Sequence, residues 1–170
     1  MRILDATCGY RGIWYQKKHP LVTYMDKRKC IIDSKIKNGT RYKINPDVVS
    51  EWKDAPFPNE YFDIIIFDPP HKFISKESNR KLGVIEQEYG LLYFENWQTE
   101  IRTGVKKLFQ LLKPQGMFIL KWNEIEKPVK EVIKLFPYKP VFGTRQNQPK
   151  KSSHWIFFLK YDVNMTLEAK

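Results

Sequence analysis

The stretch Ile3-Leu4-Asp5-Ala6-Thr7-Cys8-Gly9-Tyr10-Arg11-Gly12 opens the chain with a short apolar run, an acid at its end and a turn holding two glycines. Open α/β sheets bind ligands at the carboxyl ends of their strands, and a glycine there lets the backbone approach a ligand closely. The stretch is not the phosphate-binding G-x-G-x-x-G pattern, because positions 7 and 8 are Thr and Cys. The turn predicts a short helix that ends before His19-Pro20, followed by a second strand, Leu21–Asp26. A carboxylate at Asp26 is placed to accept hydrogen bonds from both hydroxyls of a ribose. The alternative is a cap for a helix beginning at Lys27.

Further along, residues 43–49 predict a weaker third strand, and Ala55-Pro56-Phe57-Pro58-Asn59 a turn. A fourth strand over 62–68 contains Ile64-Ile65-Ile66-Phe67, a run that reads as buried on both faces in the middle of a parallel sheet. The polar stretch 71–89 is too long for a mere connection and predicts a lid or binding loop. The longest helix is predicted over 91–112, with Leu91, Phe94, Ile101, Val105, Leu108, Phe109 and Leu112 at helical spacing and Pro114-Gln115-Gly116 as its stop. Strand 117–122, helix 128–136 and strands 139–142 and 154–161 complete an α/β pattern in one domain of 170 residues. The last two strands form an antiparallel pair.

The second segment that carries chemistry is Tyr61-Phe62-Asp63-Ile64-Ile65-Ile66-Phe67-Asp68-Pro69-Pro70-His71. A carboxylate followed by two prolines at the end of a buried strand makes a rigid acceptor edge, because proline cannot relax. Such an edge can hold the hydrogens of an exocyclic amine and aim its lone pair at an electrophilic methyl group. The alternative is a strand stop with a polar cap. Cys8 reads as a small buried residue rather than a catalytic thiol, since no basic partner is evident.

The ordered combination of these segments resembles class I S-adenosylmethionine (SAM)-dependent methyltransferases over nearly the whole chain. The resemblance implies a Rossmann-like, mostly parallel seven-stranded sheet with helices on both faces. It implies SAM as cofactor, held by the turn residues Asp5, Ala6, Thr7 and Gly9, by Asp26 at the ribose, and by Glu51 and Trp52 near the adenine. Asp68-Pro69-Pro70-His71 resembles the [DN]-P-P-[YFW] motif of amino-methylating nucleic-acid enzymes, with His71 in place of the aromatic residue. The set Asp68, Pro69, Pro70, His71 and Lys121 is then the expected catalytic group. Leu111-Leu112-Lys113-Pro114-Gln115-Gly116 resembles the family's L-L-K-P-G-G approach to the fifth strand. Asp68 and Lys121 also stand where RNA 2′-O-methyltransferases of this fold place an Asp and a Lys, although His154 falls where those enzymes have a Glu. For Lys121 the plain alternative is a strand-end lysine whose head reaches water.

The formal charge of +11 is segregated. Residues 1–43 carry eleven Lys/Arg against three acids, 44–138 thirteen against fourteen, and 139–160 five against none. Basic ends around a neutral middle suit a polyanion, so a nucleic acid is the expected partner, with Lys72, Arg145, Lys150 and Lys151 as phosphate contacts. DNA and RNA are both open, as are a homodimer or a partner protein. Methylation of a small molecule or protein, or SAM or RNA binding without turnover, are the competing functions. Two cysteines without His or Cys at metal spacing indicate neither a disulfide framework nor a metal site. No apolar run approaches the roughly 20 residues of a membrane span. The first strand begins within two residues of Met1, which leaves no room for a signal peptide and sets the expectation of a cytoplasmic protein.

Overall fold

The computed structural model describes residues 1–34, 40–144 and 153–161. Its first half contains β1 (Ile3–Asp5), β2 (Val22–Asp26), β3 (Cys30–Ser34), β4 (Thr40–Ile44), β5 (Val48–Val49), a 3-10 turn at Trp52–Asp54 and β6 (Phe62–Phe67). The second half contains β7 (Phe73–Ile74), α1 (Val84–Tyr89), β8 (Leu92–Tyr93), α2 (Trp97–Leu111), β9 (Leu112–Asn123), α3 (Val129–Ile133), β10 (Phe142–Gly143) and β11 (Ser153–Leu159). Seven strands form the main sheet in the order β10-β11-β9-β6-β1-β2-β5. All neighbours from β9 to β5 are parallel, and β11 runs antiparallel to both β9 and β10. The expected seven-stranded, mostly parallel α/β sheet with an antiparallel end is the observed one.

Strand alternation splits the apolar residues between two faces. On one face Leu4, Ile65, Phe67, Phe118, Leu120 and Phe158 meet Ile101, Val105, Leu108 and Phe109 of α2 and Val129 and Val132 of α3. On the other face Ile3, Val22 and Tyr24 with Cys8 form a smaller cluster covered by Trp14. Helices on both faces were expected, yet the connection from β1 to β2 forms turns and no helix. Trp14 explains the difference, because its ring packs edge-on against Tyr24, 5.5 Å between centroids, and its indole N–H is used at Asp5.

Other boundaries differ for equally local reasons. The expected third strand divides at Asn45-Pro46: Thr40–Ile44 pairs with β3 in a separate hairpin, and only Val48–Val49 joins the main sheet. Proline cannot donate to a ladder, so the strand breaks there. The long helix starts at Trp97 rather than residue 91, because Leu92 and Tyr93 pair with Phe73 and Ile74. The stretch 71–89 likewise contains β7 and α1 rather than loop alone. Among the described residues no helix is long and apolar enough to cross a membrane.

Gly104, mid-helix in α2, is where Trp52 seats. A Cβ on Gly104 would stand 2.0 Å from Trp52 Cδ1. Alanine there improves helix propensity but overpacks the contact, and overpacking wins because its typical cost of about 1–3 kcal/mol exceeds the propensity gain of about 1 kcal/mol. Gly104→Ala is therefore expected to lower stability in urea unfolding. A neutral or raised midpoint would show that Trp52 is not locked against α2.

Candidate active site

Strand order reverses at β1, with β2 on one side and β6 on the other. Such a switch point is where open α/β sheets bind ligands, outside the carboxyl ends of the strands. Asp5 ends β1, Asp26 ends β2, and Asp68 follows β6 by one residue. All three carboxylates line one cavity of about 260 Å³. Ala6, Thr7, Gly9, Trp52, Pro70 and Lys121, also expected at the site, line it with them.

The turn after β1 is held open by specific bonds. Gly9 sits at φ 50°, a left-handed conformation that favours glycine. Its N–H donates to Asp26 Oδ2 at 2.9 Å. The Asp68 N–H donates to Thr7 Oγ1 at 2.8 Å, which ties the β1 turn to the Asp-Pro-Pro segment. Asp5 accepts from Trp14 Nε1 at 2.7 Å and from the Thr7 N–H at 3.3 Å. Burial nevertheless raises its carboxyl from 3.8 to about 7, with Asp68 and Asp26 adding to the rise.

Arg28, which no sequence motif marks, is the principal partner of Asp26. Its N–H and Nε donate to Asp26 Oδ1 at 2.9 and 3.0 Å, and Nη1 reaches the Gln87 carbonyl at 2.9 Å. Arg28 thus links the expected ribose acid to α1. Tyr89 at the end of α1 shares a hydrogen bond with Tyr10, 3.0 Å between hydroxyl oxygens, and both rings line the cavity. A basic residue two positions after a strand-end acid was the available signal for Arg28. Nothing near Tyr89 in sequence pointed to Tyr10.

Lys121 Nζ donates to Asp68 Oδ2 at 2.6 Å. The register explains the meeting: Phe67 pairs with Leu120, so the next residue of each strand lies side by side. Burial raises the Asp68 carboxyl, and Lys121 pulls against that rise. Oδ1 has no hydrogen bond among the described residues. Trp155 pairs with Lys121 across β9 and β11, its ring centroid 6.0 Å from Nζ. Pro69 is buried. His71 stands behind Tyr89, centroids 5.8 Å apart, and does not line the cavity. Burial, with Lys121 and Lys72 adding, lowers its imidazole to about 4, so it is neutral at neutral pH.

Glu51 stays outside the cavity lining and pairs with Lys53 at 3.1 Å and Lys27 at 3.6 Å. Lys72 is engaged by Glu126 at 3.0 Å. Arg145, Lys150 and Lys151 lie outside the described residues. Among the described residues no group of three His, Cys, Asp or Glu side chains could hold a metal ion. Burial pushes the Cys8 thiol up, away from the reactive thiolate.

No family model matches this chain, and no curated protein matches it in sequence. Its fold is that of SAM-dependent methyltransferases. The N-methyltransferase NodS of Bradyrhizobium japonicum superposes with a TM-score of 0.59 at 13% identity, covering 95% of this chain and 86% of that one. A SAM-dependent methyltransferase of Methanosarcina mazei gives 0.55 at 12% identity, covering 94% and 92%. One from Leishmania major gives 0.54 at 14% identity, covering 94% of this chain, which spans 64% of the length of that protein.

Asp5 makes the site sensitive to pH. Its carboxyl titrates near 7 in the folded chain against 3.8 as the reference value. The folded state therefore binds the extra proton over that interval, and stability from this group falls as pH rises through it. The penalty is absent below about pH 4 and complete above about pH 7. Asp5→Asn keeps an acceptor for Trp14 and removes the penalty, so its melting temperature relative to the parent should climb between these limits. A difference that does not change with pH would contradict the burial of a charged Asp5.

Proposed function

We propose that this chain transfers the methyl group of SAM to an amino group of a nucleic-acid base. The observation that carries the reading is Asp68, held by Lys121 through one oxygen while its other oxygen remains an acceptor beside the cavity. Bound SAM would supply an electrophilic methyl group on a sulfonium. The residues present suit such a group: Asp5, Asp26 and Asp68 offer oxygens to its polar atoms, with Arg28 and Lys121 balancing two of those charges, and Trp52 and Ile13 give the cavity an apolar wall. Asp26 offers the ribose its carboxylate once Arg28 yields part of its hold, while the Gly9 N–H keeps that carboxylate oriented.

Asp68 Oδ1 would accept a hydrogen of the amino nucleophile and later its proton. Lys121 fixes the Asp68 rotamer, and buried Pro69 and Pro70 prevent the backbone from drifting. Tyr10 and Tyr89, joined through their hydroxyls, form one side of the cavity. His71, neutral and placed behind Tyr89, supports that ring rather than carrying protons. The fold accommodates nitrogen acceptors, since NodS is an N-methyltransferase. The Asp-Pro-Pro-His sequence and the segregated positive charge favour a nucleic acid over a small molecule. A second reading, transfer to a ribose 2′-hydroxyl, is favoured by the 2.6 Å Asp68–Lys121 pair itself.

Incubation with methyl-labelled SAM and total RNA, DNA, protein or small-molecule extract separates these readings. Label in a base is expected; label on ribose selects the hydroxyl reading, and label in protein or small molecules overturns the nucleic-acid substrate. With the labelled substrate in hand, Asp68→Ala should keep SAM binding and lower the single-turnover rate by at least about a hundredfold, roughly 2.7 kcal/mol of transition-state stabilisation. Full activity in a folded Asp68→Ala protein would remove Asp68 from the reaction.

A further inference from the structure

Beside the cofactor cavity, and sharing Tyr10 with it, lies an open cleft of about 620 Å³. One wall is the turn segment that follows β1, with Lys17 and Lys18; the other is the end of β4 and the residues after it, with Lys43. The two walls are clamped by Arg11. Its guanidinium lies 3.7 Å from the centroid of the Tyr24 ring, Nη1 donates to the Lys17 carbonyl at 2.5 Å, and Nη2 donates to the Asn45 carbonyl at 3.0 Å and to Asp47 Oδ1 at 3.2 Å. To reach all of these, Arg11 adopts φ 61°, a left-handed conformation uncommon for a residue with a side chain. Such backbone persists only where surrounding contacts over-determine it, and here those contacts shape the cleft.

The clamp also settles the cleft's charge. Among the described residues Asp47 is its sole carboxylate; Oδ1 is taken by Arg11 and Oδ2 accepts the Tyr24 N–H at 2.9 Å. Lys17, Lys18 and Lys43 are exposed and have no ion pair among the described residues. Three unpaired ammonium groups facing one concave surface repel one another and favour an anion between them. They are spread over two walls rather than gathered on one point, which fits a chain of phosphates better than a single phosphate. Tyr15, two residues before Lys17, is fully exposed and offers a ring on which a base can stack.

We infer that this cleft holds the phosphodiester backbone of a single-stranded nucleic acid, with Lys17, Lys18 and Lys43 on phosphates and Tyr15 under a base. The strand would then pass Tyr10 toward the cavity that contains Asp68. The inference rests on the nucleic-acid reading above for its substrate class, but it concerns binding and can be measured without methyl transfer.

The probe is a fluorescein-labelled oligouridylate and an oligothymidylate of about twelve nucleotides, read by anisotropy against salt. The triple variant Lys17→Ala, Lys18→Ala, Lys43→Ala should lose at least about tenfold in affinity, and its log K against log salt slope should flatten by about 2, or about 0.7 for each phosphate no longer neutralised. A control with the same change in net charge on α2 and α3, Arg102→Ala, Lys106→Ala, Lys130→Ala, should stay within about twofold of the parent. Tyr15→Ala should weaken binding without altering the slope. SAM affinity, followed by calorimetry, should be unchanged in the cleft variant. Equal losses in the cleft and control variants, or parent-like binding in the cleft variant, would overturn the inference, as would a parent that binds neither oligonucleotide. A parent that binds through the cleft but transfers no methyl group would sustain the cleft and refute the catalytic reading.

Discussion

Three carboxylates, Asp5, Asp26 and Asp68, are placed around one partly enclosed cavity, and much of the neighbouring structure answers the cost of putting them there. Buried charge is tolerated only when paired and hydrogen-bonded. Asp26 meets that demand through Arg28 and the Gly9 N–H, and Asp68 through Lys121. Among the described residues Asp5 has only neutral donors, Trp14 and the Thr7 N–H, and its carboxyl rises to about 7. The β1 turn, the strand register between β6 and β9 and the inward position of Trp14 all serve these pairings.

The same constraint gives the cavity its chemical character. A partly enclosed space that sets carboxylate oxygens and their paired cations against apolar patches suits a ligand with both polar and aromatic parts. The Arg28 guanidinium, with its bonds to both Asp26 and the Gln87 carbonyl, places a charge beside the proposed ribose acid and connects that point to α1. A single side chain thus ties Asp26 to α1. On the far side, Lys121 orients Asp68 from a neighbouring strand, so the expected acceptor is fixed by sheet register rather than by a loop.

What was legible in the sequence were features with a local cause. Ile64 to Phe67 predicts a central strand and Asp5 to Gly12 a strand entering a glycine turn, and strand and turn are both present; the run is buried on one face only, with Ile64 and Ile66 half-buried on the other. Asp68 and Lys121 are each legible in their own motif, far apart in the chain, and register joins them. Features decided by tertiary contact were not legible. Trp14 draws the β1–β2 connection inward and leaves no helix, Leu92 and Tyr93 are taken from the long helix by a small parallel pair, and Arg28 finds Asp26 by a bond no periodicity encodes. Glu51, expected near adenine, lies outside the cavity lining and pairs with Lys27 and Lys53, contacts that no local pattern encodes. Lys72 is engaged with Glu126, whereas Lys17, Lys18 and Lys43, without an ion pair among the described residues, flank the Arg11 clamp.

If the cavity at the carboxyl ends of β1, β2 and β6 takes SAM through Asp26, calorimetric titration of the parent and of Asp26→Ala with SAM will separate the two proteins. One saturable site is expected in the parent, with binding weakened by at least about tenfold, or about 1.4 kcal/mol, in a variant that still melts cooperatively. Undiminished SAM binding in folded Asp26→Ala, or no binding in the parent, would contradict it.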